Sequence, residues 1–164
     1  MGSTIIGYVF FFPRKSSVDA DRPSQYLDCG RGQWIDFTNG ASYQSYYPFK
    51  DYCDPYKNWK LIYSYDPLAN LTAEQSALVV GGEVHMWSEQ TDGVSVDGMV
   101  WPRAMAAGEV MWSGRQDASG QNRSQLEASP RLAEMRERLV ARGIQSGPIQ
   151  PVFCTQNDAS ECSL

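Results

Sequence analysis

Apolar residues recur every three or four positions in the last third of the chain, at Leu132, Met135, Leu139 and Val140. This spacing places them on one face of a helix with about 3.6 residues per turn. Ser129-Pro130 is a typical helix start, because proline is tolerated in the first turn, and Gly143 is a typical end. The pattern therefore predicts a helix between these two points.

Two further helices are predicted earlier in the chain. Thr72, with Gln75 three residues later, matches a capping box and predicts a short helix that starts there. Trp101-Pro102 opens a longer helix that ends at Gly114. Three tryptophans are expected in the hydrophobic core: Trp59, Trp101 and Trp112.

The remaining regular pattern is that of β-strands. Residues 25–28 and 83–87 are short segments with apolar residues, each followed by glycine or polar residues, and they predict two strands. The second is a buried strand entered from Val79-Val80 through the pair Gly81-Gly82. Alternation of strands and helices between residues 25 and 142 predicts an α/β architecture. Because successive side chains alternate between the faces of a strand, Tyr26 and Asp28 share one strand end, and Trp87 and Glu89 share another.

An aromatic residue and a carboxylate at each of two strand ends suit a sugar-binding site. In a parallel barrel, active sites are built at the C-terminal ends of the strands. An indole covers the apolar face of a sugar ring, a carboxylate accepts hydrogen bonds from hydroxyls, and a tyrosine hydroxyl can donate to a carbonyl. The alternative is that the aromatic side chain packs in the core and the carboxylate is an ordinary surface charge. This is the commoner reason for a Tyr-x-Asp or Trp-x-Glu triplet.

The charge and apolar patterns exclude several classes of function. The net charge is −5, the sequence pI is about 4.8, and no cluster of Lys and Arg is present, which excludes an ordinary nucleic-acid-binding face. The longest apolar run, residues 5–12, is shorter than the roughly 20 residues of a membrane span. With one histidine and no Cys-x-x-Cys pair, we expect no metal site, and no cofactor is implied.

Four cysteines are present in the chain: Cys29, Cys53, Cys154 and Cys162. Their even number predicts disulfides, and hence an oxidising compartment. Their order favours Cys29–Cys53 and Cys154–Cys162, one of three possible connectivities. Two glycosylation sequons begin at Asn70 and Asn122 and point the same way. We therefore expect a secreted or extracellular protein.

Residues 1–24 consist of an apolar stretch followed by a polar linker. They lack the basic start and the small-residue cleavage site of a signal peptide. Two interpretations stay open for this segment. It is either a buried strand or a stretch foreign to the fold, as a mis-called gene start or a truncated parent would produce.

Several separated motifs resemble family 20 glycoside hydrolases, the β-N-acetylhexosaminidases. These are Gly-Gly-Glu-Val-His-Met-Trp-Ser-Glu at 81–89, Trp-Pro-Arg-Ala at 101–104, Glu-Val-Met-Trp-Ser at 109–113 and Tyr-Leu-Asp at 26–28. They occur in the family's order. The aromatic loop over residues 33–58 and the closing cysteine pair resemble the secreted fungal branch. The resemblance covers residues 25–164, and residues 1–24 do not share it.

The resemblance implies the C-terminal part of a (β/α)8 TIM barrel, about strands seven and eight with their following helices and a disulfide-stapled tail. By position, Tyr26 would bond the acetamido oxygen of the substrate. Asp28 and Glu89 would bind hydroxyls of the terminal sugar, and Trp87 would form a wall of the pocket. The implied ligands are N-acetylglucosamine-containing oligosaccharides, including chitin oligomers. Whether the parent enzyme is a homodimer stays open.

The family's chemistry is substrate-assisted, without an enzyme nucleophile. A neighbouring Asp-Glu pair on strand four orients the acetamido group and protonates the leaving oxygen. No Asp-Glu dipeptide occurs in this chain, so no catalytic residue is assigned. We expect the isolated chain to be poorly stable and to lack meaningful hydrolase activity. Two alternatives are a non-catalytic glycan-binding protein and a small disulfide-rich interaction domain without a sugar site.

Overall fold

The computed structural model describes residues 26–30, 56–88 and 91–150. Over these ranges the chain forms five helices: α1 Trp59–Tyr63, α2 Ala73–Ser76, α3 Val96–Val100, α4 Arg103–Ser113 and α5 Gln125–Val140. Two isolated β-bridges accompany them, a parallel one between Tyr26 and His85 and an antiparallel one between Gln116 and Asn122. No helix in the described ranges is long and apolar enough to cross a membrane.

The capping residues place α2 and α4 where the sequence predicts them. At α2, the Thr72 hydroxyl accepts the Gln75 backbone N–H at 3.3 Å, and the Gln75 side chain accepts the Thr72 N–H at 2.9 Å. Gly114 ends α4 with φ of 76°, a conformation that favours glycine, and donates to the Val110 carbonyl at 2.8 Å. Both predictions are confirmed.

The predicted start of α5 at Ser129-Pro130 is wrong. The helix begins at Gln125, where the Ser124 hydroxyl accepts the Leu126 N–H at 3.1 Å, and Pro130 lies inside it. Either serine could cap a helix, and the earlier start lets Ala128 be fully buried in the core. The free energy gained by burying this first part of α5 in the core therefore outweighs the local cost of a proline inside the helix.

The core lies between α1, α4, α5 and the two segments joined by the parallel bridge. Its buried hydrophobic members include Leu27, Ile62, Tyr63, Val84, Met86, Val110 and Leu132. Of the three tryptophans expected there, Trp59 is 5% exposed and Trp101 packs partly buried against the core. The prediction is wrong for Trp112, which is 83% exposed at the end of α4.

A polar cluster of Tyr63, Glu109 and Arg131 ties α1, α4 and α5 together. The buried Tyr63 hydroxyl donates to Glu109 Oε1 at 3.0 Å, and Arg131 Nε donates to the same oxygen at 3.2 Å. Burial, and then the bond to Glu109, raise the pKa of Tyr63, while the bond to Glu109 raises the pKa of Arg131. Tyr63 therefore remains a neutral donor and Arg131 a cation.

Between the described residues of the two predicted strands, a parallel bridge pairs Tyr26 with His85. Residues 79–82, which lead into the second predicted strand, carry no β-bridge, and Val80 is 46% exposed. This bridge joins the segment around Tyr26 to the segment around His85 in parallel. This is the arrangement on which the candidate site depends.

Candidate functional site

The parallel bridge fixes the register between the two predicted strand ends. The Leu27 N–H donates to the His85 carbonyl at 2.8 Å, and Tyr26 lies opposite His85. Residues opposite each other in a sheet share a face, so Tyr26 and His85 lie on the same side of the pair. A ladder continued by two residues would set Asp28 opposite Trp87. The described bridge ends before that pair.

Burial separates the two faces of this pair. The intervening residues Leu27, Val84 and Met86 are all buried in the core. By contrast, Tyr26 is half-buried and Trp87 is 40% exposed, which is unusual for so large an apolar side chain. An exposed indole presents an apolar surface on which a sugar ring face can stack.

Asp28 differs from the usual surface carboxylate, because it is only 4% exposed. Buried carboxylates are rare unless they are paired or hydrogen-bonded, and they commonly mark sites with a specific role. The following residue, Cys29, is also buried and is disulfide-bonded. The cross-link fixes the chain directly after the candidate carboxylate.

Several predicted site residues lie outside the described residues. These are Glu89 and the cysteines Cys53, Cys154 and Cys162. The two sequon asparagines, Asn70 and Asn122, are both described and are exposed, as a glycosylated residue must be.

His85 lies on the same face of the bridge as Tyr26. Its ring stacks on Tyr26 with 5.1 Å between centroids and 26° between planes. Its Nε2 lies 3.2 Å from Glu83 Oε1, although the geometry is not that of a hydrogen bond. The imidazole thus supports the Tyr26 ring from the neighbouring segment.

Arg103 is a residue of the site that the sequence does not identify. Its side chain is 2% exposed, and its guanidinium donates to the carbonyls of Met99 at 2.8 Å, Lys57 at 3.2 Å and Leu27. The Tyr56 ring lies 4.6 Å from the guanidinium carbon. The only hint in the sequence is an arginine at the start of an otherwise apolar helix, within the Trp-Pro-Arg-Ala motif.

A separate apolar groove of about 490 Å³ lies between α4 and α5. Its walls include Gly82, Met105, Trp112 and Met135, and none of the candidate residues Tyr26, Asp28 and Trp87 lines it. The groove and the candidate site are therefore different features of the surface.

Similarity to known proteins agrees with this geometry. Residues 15–115 match the glycosyl hydrolase family 20 catalytic domain. The chain belongs to this family. The catalytic domain of this family is of the TIM-barrel type. The family resemblance of the sequence motifs is confirmed.

Fungal and insect relatives match most of this family 20 chain. It is 44% identical over 140 residues to a beta-hexosaminidase of Arthroderma benhamiae, a match covering 85% of this chain and 22% of the relative. A beta-hexosaminidase of Emericella nidulans is 39% identical over 145 residues, covering 80% and 24%. A chitooligosaccharidolytic beta-N-acetylglucosaminidase of Ostrinia furnacalis is 38% identical over 133 residues, covering 81% and 19%. The matched region thus spans about a fifth to a quarter of the relatives.

Proposed function

We propose that the chain supplies the sugar-binding end of a β-N-acetylhexosaminidase that removes terminal N-acetylhexosamine from oligosaccharides. The observation that carries the proposal is the parallel Tyr26–His85 bridge, because it joins the segment that carries Tyr26 and Asp28 to the segment that carries Trp87. In this assignment, residues 26–28 and 83–89 end strands seven and eight of a (β/α)8 barrel. The relative from Ostrinia furnacalis, named chitooligosaccharidolytic, supports chitin oligomers as one substrate class.

Each side chain has a distinct part in the proposed pocket. The Tyr26 hydroxyl donates to the acetamido oxygen, and the stacked His85 ring holds it in place. The Asp28 carboxylate, and that of Glu89, accept hydrogen bonds from hydroxyls of the terminal sugar. The exposed Trp87 indole forms the wall against the ring or its N-acetyl group.

The proposed reaction is substrate-assisted: the acetamido oxygen attacks the anomeric carbon while a carboxylic acid protonates the leaving oxygen. The Asp-Glu pair of that mechanism is absent from this sequence. In the proposal, this chain therefore binds and orients the terminal sugar, and the acid comes from another part of the barrel.

A second candidate is a secreted glycan-binding protein without catalysis. The absence of an Asp-Glu pair favours it, since an aromatic wall and a carboxylate can bind a sugar with no acid present. Both candidates place the same sugar on Trp87. They differ in whether activity can be restored by the rest of a barrel.

The remaining assignments accompany the proposal. We place residues 1–24 in an atypical N-terminal segment and residues 25–164 in the catalytic domain. Cys29–Cys53 and Cys154–Cys162 are the proposed disulfides, and the exposed Asn70 and Asn122 are the proposed glycosylation sites. These features fit a secreted enzyme. Whether the full-length parent enzyme is a homodimer stays open.

Titration calorimetry with N-acetylglucosamine tests the proposal. The chain should bind this sugar more tightly than glucosamine, which lacks the acetamido carbonyl that Tyr26 would contact. Trp87→Ala removes the proposed wall and should weaken binding about tenfold, equivalent to about 1.4 kcal/mol.

The matched control for this titration is Trp112→Ala, which removes a second exposed indole outside the site. Its dissociation constant should stay within about twofold of the unaltered chain. A folded chain that binds neither N-acetylglucosamine nor chitobiose would contradict the proposal, and so would equal losses from both tryptophan variants.

A further inference from the structure

Arg103 joins three backbone segments that are distant in sequence. Its guanidinium donates to carbonyls of Met99 in α3, of Lys57 before α1, and of Leu27 in the candidate site. A guanidinium buried to this degree is costly to desolvate and is retained only where its donors are used. Its position therefore indicates more than general packing.

The contact with Leu27 is the one that reaches the sugar site. Leu27 lies between Tyr26 and Asp28, and its N–H already donates to the His85 carbonyl at 2.8 Å. With the carbonyl bound by Arg103, both backbone polar groups of Leu27 are held. The peptide planes on either side are then fixed in direction, and so are the side chains that they carry.

Arg103 binds the Leu27 carbonyl at the point where the described strand pairing ends. In a continuing parallel ladder, the Leu27 carbonyl would accept the N–H of Trp87, two residues beyond His85. Here its partner is the Arg103 guanidinium. The Arg103 side chain occupies the carbonyl that would form the next ladder bond. The two segments can therefore diverge after Leu27 and His85 without leaving this carbonyl unpaired.

We propose that Arg103 is a positioning residue of the sugar site, which sets the spacing and direction of Tyr26 and Asp28 relative to Trp87. The role of these three residues rests on the proposed function. The effect of Arg103 on the 26–28 segment does not, because it follows from the hydrogen bonds to the backbone.

Only an arginine has the shape for this task. Its planar fork presents several donors in fixed directions, which suits carbonyls arriving from three segments, and its flat face can stack on the Tyr56 ring. A lysine keeps the charge but is a single point donor on a flexible stem. Arg103→Lys therefore removes the geometry while it retains the cation.

The test compares Arg103→Lys with Arg131→Lys in the full chain. Arg131 also bridges elements, through Glu109, but contacts neither segment of the bridge. Amide hydrogen exchange is measured at Leu27 and at Ile62, whose N–H donates to the Asn58 carbonyl within the core region. N-acetylglucosamine affinity is measured by calorimetry at a temperature where both variants are folded.

For Arg103→Lys we expect Leu27 exchange to rise about tenfold more than Ile62 exchange, and sugar affinity to fall about tenfold. Arg131→Lys should change both amides by the same factor and leave affinity within about twofold. Equal changes at Leu27 and Ile62 in Arg103→Lys would overturn the proposal, since a merely structural arginine lowers stability everywhere. Unchanged affinity with selective exchange at Leu27 would overturn the link to the sugar.

The exchange measurement and the affinity measurement together distinguish failure of this inference from failure of the proposed function. If the unaltered chain binds no N-acetylglucosamine, the proposed function fails and Arg103 is not a residue of a sugar site. The exchange arm then still decides whether Arg103 fixes the 26–28 segment. If the unaltered chain binds the sugar and Arg103→Lys binds it equally well, the proposed function stands and the inference fails.

Discussion

The chain alone is expected to release N-acetylglucosamine from a chromogenic substrate at least about 10²–10⁴-fold more slowly than a full-length relative, because a missing general acid costs that much. The expected loss is larger still, since the aspartate that orients the acetamido group is absent with it. Steady-state rates of the purified chain, measured beside the Arthroderma benhamiae enzyme, provide the comparison.

Complementation gives this prediction its control. Co-expression with the part of that relative preceding its matched region should restore turnover if the chain is the sugar-binding end of a barrel. The same partner with its acid glutamate replaced by glutamine should not. Near-normal rates from the chain alone would contradict the assignment of the acid to another part of the barrel. Sugar binding with no turnover in any combination would favour the glycan-binding protein.

Trp59→Ala should destabilise the described core by about 3–5 kcal/mol, as expected for truncating a large buried aromatic. The side chain is 5% exposed, and its indole N–H donates to the Ile149 carbonyl at 2.7 Å, which attaches the region after α5 to α1. The variant loses the packing and leaves that carbonyl without its donor. Urea unfolding followed by circular dichroism measures the change.

Trp112→Ala is the matched substitution, since the same side chain is 83% exposed there. We expect it to stay within about 0.5 kcal/mol of the unaltered chain. Trp59→Phe retains most of the packing and removes only the donor, so it should cost an intermediate amount. An equal cost for Trp59→Ala and Trp112→Ala would show that the described core does not determine stability.

Local chemistry made some of this fold predictable. Thr72 and Gln75 form a capping box wherever a helix starts, and Gly114 adopts a positive φ where one ends, so α2 and the end of α4 follow from a few neighbouring residues. Period-two alternation similarly predicts that Leu27 points away from the side of Tyr26, and Leu27 is buried in the core.

Long-range contacts account for what the sequence could not reveal. The start of α5 depends on the burial of Ala128 in the core. The exposure of Trp112 depends on whether another segment covers the end of α4, which its local sequence does not indicate. Arg103 is the clearest case, because two of the carbonyls it binds lie 46 and 76 positions away in the chain. No local pattern indicates such partners.

The central claim is that Tyr26, Asp28 and Trp87 contact one acetylated sugar, and an NMR titration with N-acetylglucosamine tests it most directly. The account predicts that the Tyr26 ring, the Asp28 amide and the Trp87 indole N–H shift together with one dissociation constant, while the Trp112 indole does not move. Shifts with different constants, or Trp112 responding in place of Trp87, would contradict it.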